Sequence, residues 1–516
     1  MPHTDSVDVL VIGSGPAGST YARTIGDAVP DARILMVELG PHLPGPRGEH
    51  TQNLTPEDKL AAQLATQGPD AGIEREKALA GIADGVDPGV EFRQTVLPGL
   101  HFVDPRPELG PGEVGLPAAS MATGVGGMGI HWSISCPRPH QSERIPFLPD
   151  GDLDEALTKA EKLLHVTVMT AEEGIPGKLR RTMSEAYDGP GLTPVGYMPT
   201  ALQVTGGTLR FTGTGRILGD LESTVPGFEL RAETLARRVL IEDGVAVGAE
   251  LEDRRTGEVY EVRARRVVVC ADGLRTAQVL FASGVRPPAL GHHLNEHFQM
   301  VSFVLLKDEF LTGTGDTEAT MSDEGLGYVL IPFSDARPVQ GGTMSLANSP
   351  YKFGDDVRIN ARLGLVAWYG SKDIQHSDAV EFSETDTDFY GMPRMSIRYS
   401  HTDKDLALIE EMRRLSLESA GLIGTLLEEP ALAAGGASIH YQGAVRMGPA
   451  DDGTSVCDPD LQVWGVENLY VGGNGVIPTS TACNPTLTNV ALAWRAAVRI
   501  AASLTDELAA QRATTV

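Results

Sequence analysis

The sequence predicts an α/β chain, α+β overall, in which one domain opens and closes the chain and a second, sheet-based domain is interleaved with it. Three observations carry this. A short apolar run, Val7–Ile12, ends in glycines and leads through a helix-like stretch to a second apolar run, a βαβ pattern near residue 1. A similar signature, Asn468-Leu-Tyr-Val-Gly-Gly473 followed by a helical pattern, recurs near residue 500. Between them, residues 300–400 are rich in strand formers and turns.

Taken in order, Val7–Ile12 is mostly apolar, as suits a strand buried on both faces. Residues Pro16 to Ile25 read as a helix and Arg33 to Glu38 as a second buried strand. From about Leu39 to Leu116 the chain is rich in Gly, Pro and charge, apart from a helical stretch at Glu57–Gln67. That is too long for a loop in a compact fold, so it is expected to cover another part of the molecule or to form an oligomer contact. Glu229–Arg266 alternates strand-like segments with turns at Glu242-Asp-Gly244 and Arg255-Thr-Gly257, which predicts a small antiparallel sheet. Arg266–Ala271 reads as another buried strand, followed by Gly273 and a helix at Arg275–Ser283. Amphipathic periodicity predicts a helix over Asp403–Leu427, and the last helix runs from about Pro485 to Leu504.

With 516 residues the chain exceeds one ordinary core, and 41% hydrophobic residues suffice for two. A net charge of −27 repels phosphate backbones and anionic lipid, so nucleic-acid and membrane-surface roles are excluded from the reading. It suits a neutral polyhydroxylated ligand better than an anion. Cys136, Cys270, Cys457 and Cys483 form no CxxC pair and read as buried thiols. No apolar run approaches the ~20 residues of a membrane span, and no basic stretch precedes an apolar one at the start, so a cytoplasmic protein is expected.

Gly13-Ser-Gly-Pro-Ala-Gly18 is a GxGxxG placed directly between a strand and a helix. Gly13 permits the tight turn, Gly15 lets the backbone approach a pyrophosphate, and Gly18 lets helix and strand pack closely. Pro16 and Ala17 open the helix whose free N–H groups would face the anion. Glu38, 20 residues beyond Gly18, stands where a carboxylate can hold ribose hydroxyls. These features define a Rossmann-like dinucleotide site. The motif alone leaves FAD and NAD open, but closing the same domain with the far C-terminal segment favours FAD. There Gly472-Gly473-Asn474 precedes a helix start that could stabilise negative charge on a reduced flavin.

Five further segments appear in order: Thr123-Gly-Val-Gly-Gly-Met-Gly-Ile-His-Trp132, Leu290-Gly-His-His-Leu-Asn-Glu-His297, Asp388-Phe-Tyr-Gly-Met-Pro393, Ile439-His-Tyr-Gln-Gly-Ala-Val-Arg-Met-Gly448 and Asn484-Pro-Thr-Leu-Thr488. With these the chain resembles the glucose–methanol–choline (GMC) oxidoreductases, within them the pyranose oxidase branch. The resemblance implies a Rossmann-like FAD-binding domain from residues 1–50, 118–140, 205–300 and 435–516. It leaves residues 51–117, 141–204 and 301–434 to a sheet-based substrate-binding domain and insertions. It implies His440 and Asn484 as catalytic residues above the flavin, the imidazole taking a hydroxyl proton and the amide orienting the hydroxyl. Read from the residues alone, His440 could equally be a core histidine, and Asn484 an N-cap with Pro485 at the first helical position.

The resemblance further implies cofactor contacts from Gly126, Gly127, Met128, His131, Trp132, Ser133, Ala271, Asn474, Gly475, Pro485 and Thr486, and substrate contacts from Trp368 and Tyr369. Pyranose oxidases carry the flavin covalently on the histidine of a Ser-Thr-His-Trp segment. Gly129 and Ile130 precede His131 here, and that departure points to FAD held without a covalent bond. His293-Leu-Asn-Glu-His297 matches the HxxEH zinc pattern, but nearby Pro287, Pro288 and Gly291 argue against a helix, and no metal is expected. The expected activity is oxidation of a ring hydroxyl, at C2 or C3, of a pyranose sugar or glycoside, C-glycosides included, with O2 reduced to H2O2. The alternative is a dehydrogenase of the same fold that uses a quinone or another acceptor.

Overall fold

The computed structural model describes residues 6–67, 98–103, 109–110, 112–168, 170–205, 208–311, 321–322, 325–346 and 363–514. The chain begins with β1 (Ser6–Ile12), α1 (Pro16–Ala28) and β2 (Ile34–Val37), the expected βαβ unit. Helices α2 (Pro56–Gln67), α3 (Asp150–Leu164) and α4 (Gly174–Tyr187) follow. Next come β3 (Phe228–Arg231), β4 (Thr234–Glu242), β5 (Val245–Asp253), β6 (Val259–Val269) and α5 (Arg275–Ala282). The second sheet is built mainly from β7 (Phe298–Leu306), β8 (Val329–Ile331), β9 (Val339–Leu346) and β10 (Leu363–Gly370). A hairpin, β11 (Ala379–Thr387) and β12 (Pro393–Arg398), leads to α6 (Asp403–Ile423) and β13 (Gly424–Leu426). Strand β14 (Leu469–Val471) and α7 (Thr486–Thr514) end the described chain.

The first sheet has the order β4-β5-β6-β1-β2-β3, with β14 beside β6. Strands β6, β1, β2, β3 and β14 run parallel, whereas β4, β5 and the start of β6 are antiparallel. The separate small sheet expected over Glu229–Arg266 is therefore corrected. Its last strand and the buried strand at Arg266–Ala271 are one continuous β6. Its first half pairs with β5 through Val259–Arg263 and its second with β1 through Arg263–Val269. Helices α1 and α7 pack together against the sheet, and Tyr21 on α1 donates from Oη to the Val471 carbonyl, 2.9 Å.

The second sheet, order β13-β7-β10-β9-β8 with Gly196–Tyr197 at its edge, is wholly antiparallel. Its core, with Met300, Trp368, Met412 and Ile423, lies against α6 and α4. Helix α6 stops at Ile423, short of the expected Leu427, because Gly424 is extended and β13 adds to the edge of β7. Helix α7 continues past the expected Leu504 to Thr514.

Two elements pack differently from the division drawn on the sequence. Leu153, Ala156 and Leu157 of α3 bury against Leu487, Val490 and Ala491 of α7, on the nucleotide side. Val380, Met395 and Ile397 of the β11–β12 hairpin enter the core of the first sheet. Both carry apolar stripes facing those cores, and burial of such area decides where an element docks. Residues 68–97, the middle of the long insertion, lie outside the described residues, while its described start packs on the Ile130–Trp132 turn, Thr51 Oγ1 donating to the Ile130 carbonyl at 3.0 Å. All four cysteines are free and buried, as the sequence suggests. Among the described residues no helix is long and apolar enough to cross a membrane.

Candidate active site

A cavity of about 360 Å³ runs from the Gly13–Ala17 turn to His440 and Asn484, between the first sheet and the face of the second. At its nucleotide end Gly13 has φ 102°, and a Cβ there or at Gly18 would collide with backbone, so both positions require glycine. Gly15 is the open position, with no neighbour nearer than 4.0 Å to an added Cβ, and it faces the cavity at the N-terminus of α1. Glu38 lines the cavity, and its carboxylate also ties loops together. Oε2 accepts from Ser14 N and Oγ at 3.1 and 2.7 Å, and Oε1 from Gly40 N and Gly124 N at 3.1 and 3.2 Å. Ser14 Oγ in turn accepts from Gly126 N, 2.9 Å. Burial raises the Glu38 carboxyl above its ordinary range, against these donors.

The turn Gly126–Ile130 crosses the cavity opposite α1. Gly127, Met128, His131, Trp132 and Ser133 line it, while Gly126 lies behind and carries φ 108°. A side chain at Gly129 would strike Thr214 Oγ1 and the Pro16 ring, which gives a physical reason for glycine at this position. From the far side come Ala271, Asn474 and Thr486. Gly475 and Pro485 do not reach the cavity lining. Gly475 is buried beside Val445 and Gly273, and the carbonyl of Pro485 accepts the first amide bond of α7, from Asn489 N at 2.8 Å.

The donor set fits a flavin dinucleotide. Among the described residues, both ring nitrogens of His131, Asp272 Oδ2, Asn474 Oδ1 and Asn489 Oδ1 are buried without a hydrogen-bond partner, and all four residues line this cavity. Buried polar groups in native proteins find partners, so a polar ligand is the natural complement. Burial pushes the His131 imidazole down to about 3, so it is neutral, with one donor and one acceptor nitrogen. The Pro98 carbonyl biases that ring electrostatically without satisfying either nitrogen at hydrogen-bonding geometry.

At the other end stands a pair of histidines. His440 Nδ1 and His297 Nε2 are 2.7 Å apart, with ring centroids 4.6 Å apart at 85°. His297 Nδ1 lies 2.9 Å from the Ala482 carbonyl, which can only accept. His297 therefore carries its proton on Nδ1 and offers a bare Nε2. His440 must then donate from Nδ1, which leaves its own Nε2 as a free lone pair. Burial pushes His297 down to about 4, and burial together with His297 lowers His440 well below 6.5, so both rings are neutral at pH 7. His440 follows Ile439, a β-branched residue at φ 58°. That strained turn is pinned by the buried Glu296, which accepts from Gly436 N at 2.6 Å and from Ser438 Oγ.

Asn484, 5% exposed, turns its Oδ1 toward Gln340 Nε2 on β9, 3.3 Å away. The N-cap reading is thereby corrected, because the carboxamide reaches across to the second sheet instead of bonding the first turn of α7. With Oδ1 engaged, the Nδ2 amide faces the cavity. Register places Gln299, Tyr369 and Gln340 in one row across β7, β10 and β9. Gln299 and Tyr369 line the cavity, and Tyr369 interacts with Tyr328 and Gln299. Trp368, expected at the substrate, is on the opposite face. It is fully buried, with Nε1 donating to Ser419 Oγ at 3.1 Å and its ring 5.5 Å from Tyr187. Alternation along the strand sends adjacent side chains to opposite faces, so Tyr369 and Trp368 could not share this role.

His293-Leu-Asn-Glu-His297 is not helical, His293 having φ 60°, and no cluster that could hold a metal occurs among the described residues. The residues that sequence reasoning missed here are His297, Gln340 and Ser14. His297 was read as the end of a resemblance segment and as part of a declined zinc pattern, without a role of its own, while Gln340 carries no local signal.

The nucleotide cradle, the facing turn and the paired imidazoles define a flavin-dependent oxidoreductase, and the chain belongs to the GMC oxidoreductases, a family of FAD-binding flavoproteins. Family models described as GMC oxidoreductase match residues 216–299 and 379–493. Among individual relatives, the chain is 43% identical to the C-glycoside 3-oxidase of Microbacterium trichothecenolyticum over 98% of both chains. It is 30% identical to the pyranose 2-oxidase of Tricholoma matsutake, covering 96% of this chain and 94% of that one. Its fold matches that of the pyridoxine 4-oxidase crystal structure from Mesorbium loti, with a TM-score of 0.62 at 16% identity over 96% and 99% of the two chains.

Proposed function

We propose that this chain oxidises the C3 hydroxyl of a glycoside, C-glycosides included, to a ketone and passes the electrons to O2. The observation that carries the reading is the tautomer order imposed by Ala482, His297 and His440, which leaves a neutral Nε2 base facing a cavity that also presents an amide donor. The similarity to a C-glycoside 3-oxidase supports C3 over C2. Gly13, Gly15, Gly127 and the N-terminus of α1 would hold FAD, with His131, Asp272, Asn474 and Asn489 as polar partners and no covalent bond to His131. Bound there, FAD supplies a two-electron acceptor that takes hydride at N5 and returns both electrons to O2, giving H2O2.

The protein's part is binding, orientation and proton transfer. The Asn484 Nδ2 amide donates to the substrate hydroxyl oxygen and fixes its lone pairs. His440 Nε2 accepts the hydroxyl proton as the C–H bond gives up hydride. A neutral imidazole suits this at pH 7, because it is already free of a proton. The charge gained at His440 is shared with His297 through their hydrogen bond. Gln299 and Tyr369, which line the cavity, offer donors and acceptors to a polyol ring, while Gln340 holds Asn484 in place. Four reduced thiols fit a cytoplasmic location, and the division of residues into FAD-binding and substrate-binding parts is read as in the sequence, with α3 and the β11–β12 hairpin moved to the FAD side.

The test is aerobic incubation of the yellow holoprotein with free glucose, an O-glycoside and a C-glycoside, reading H2O2 and the position of the ketone. A 3-keto glycoside with equimolar H2O2 is expected. Activity confined to primary alcohols, or a ketone formed with a quinone but never with O2, overturns it.

A further inference from the structure

Beyond the histidine pair, one buried carboxylate has no part in the mechanism so far. Glu143, 1% exposed, sits at the end of the short turn Gln141–Glu143, and its Oε2 accepts from His140 N at 2.9 Å. Its Oε1 accepts from Ala482 N at 2.8 Å and Cys483 N at 2.9 Å. Thr479 Oγ1 also donates to the Glu143 carbonyl, 2.8 Å. The Cys483 N–H and the Ala482 carbonyl belong to one peptide group. Its N–H points at the Glu143 carboxylate, and its oxygen accepts from His297 Nδ1. A carboxylate on one end of an amide increases the negative charge on the oxygen at the other, since hydrogen bonds in series polarise one another.

We propose that Glu143 is a positioning residue that acts through the Ala482–Cys483 peptide to stabilise the charge that His297 and His440 share when the hydroxyl proton is taken. The order is carboxylate, peptide, His297, His440, then substrate. No bond is made or broken in the relay, and the proton taken by His440 Nε2 comes from the substrate hydroxyl. This rests on the reading of His440 as the base. The same carboxylate fixes the segment that carries Asn484, so both catalytic residues depend on it.

Burial pushes Glu143 up to about 7, its backbone donors pulling the other way, so it gains its charge as pH rises through neutrality. Cys483 stands beside it, its thiol kept protonated by burial. Facing the histidines are Tyr369, whose ring is 5.0 Å from that of His297, and Glu296, held by Gly436 N and Ser438 Oγ. Burial raises both, Glu296 to about 7.

The experiment is anaerobic flavin reduction by saturating glycoside in the holoenzyme across pH 5.5–9, in wild type, Glu143→Gln, Glu296→Gln and His440→Ala. The wild-type rate should fall roughly tenfold on acidification through about pH 7, the difference between a hydrogen bond to a charged and to a neutral group. Glu143→Gln should keep its FAD, run at the low rate throughout and lose this acid limb, whereas Glu296→Gln retains it. A limb that persists in Glu143→Gln, or disappears in Glu296→Gln instead, overturns the relay. If Glu143→Gln matches wild type while His440→Ala collapses, the relay falls and the base assignment stands. If His440→Ala also matches, the base assignment itself falls. Should Glu143→Gln not fold, the wild-type holoenzyme decides. The His297 Nδ1–H proton resonance should shift across pH 6–8 while both rings keep the ¹⁵N shifts of neutral imidazole, and an invariant resonance refutes the proposal.

Discussion

Replacing His297 tests the tautomer order without touching the group that meets the substrate. In His297→Ala the His440 Nδ1–H loses its acceptor at 2.7 Å and is left buried without a partner. A buried donor in that state costs about 1–3 kcal/mol. The ring escapes by moving its proton to Nε2, where cavity water or substrate can accept it, and in that form it cannot act as a base. At 1.36 kcal/mol per tenfold, the reactive tautomer falls by roughly 5- to 150-fold, and flavin reduction should slow by the same factor. The assay is anaerobic stopped-flow reduction at saturating glycoside, with FAD content checked from the absorbance spectrum. His297→Gln supplies the control, because its amide can donate to the Ala482 carbonyl and accept from His440 Nδ1. It should recover most of the lost rate. The reasoning fails if His297→Ala reduces its flavin within twofold of wild type, or if the glutamine variant is no faster than the alanine one.

Three other outcomes are expected. Asn484→Ser removes the amide and its bond to Gln340; the protein should stay yellow, yet reduce its flavin at least tenfold more slowly at saturating substrate, and near-normal kinetics would remove Asn484 from the mechanism. Acid precipitation of the holoprotein should release FAD to the supernatant, whereas colour retained in the pellet and freed by His131→Ala would establish a covalent bond. Glu296 has a carboxyl raised from about 4.3 unfolded to about 7 folded, so the native state binds its proton more tightly. Its contribution to stability is full below about pH 4.3 and declines as pH rises to 7. Thermal denaturation should show Glu296→Gln gaining on wild type by about 3 kcal/mol between pH 4.5 and 7.5, and a pH-independent difference would contradict this.

The nucleotide end was readable because its constraints are local. Gly13, Gly15 and Gly18 sit within one turn, and the strand before and helix after them are written in adjacent residues. The join at β6 was not readable, since its first half alternates polar and apolar residues and its second is continuously apolar, so that one strand reads as two. Trp368 was misplaced for a related reason, because composition marks an aromatic pair but only the register shows which member faces the cavity. His440 and Asn484 were singled out through motif resemblance, and both line the cavity. Their supports were not singled out, because His297, Gln340 and Glu143 lie 143, 144 and 340 residues from the groups they touch. Such pairings are made by the packing of two sheets and a helix, and no window along the chain contains them.

The packing of α7 on α1 has a consequence for the chain while it is being made. Gly13 leaves the ribosome some 470 residues before Asn484, and strand β14, which flanks β6, follows it by some 200 residues. A nascent chain can build part of the cradle early, but it has neither the amide nor the Ala482 carbonyl that orders the histidines. On the proposed mechanism, hydroxyl oxidation therefore waits until residues 482–484 have been made and packed.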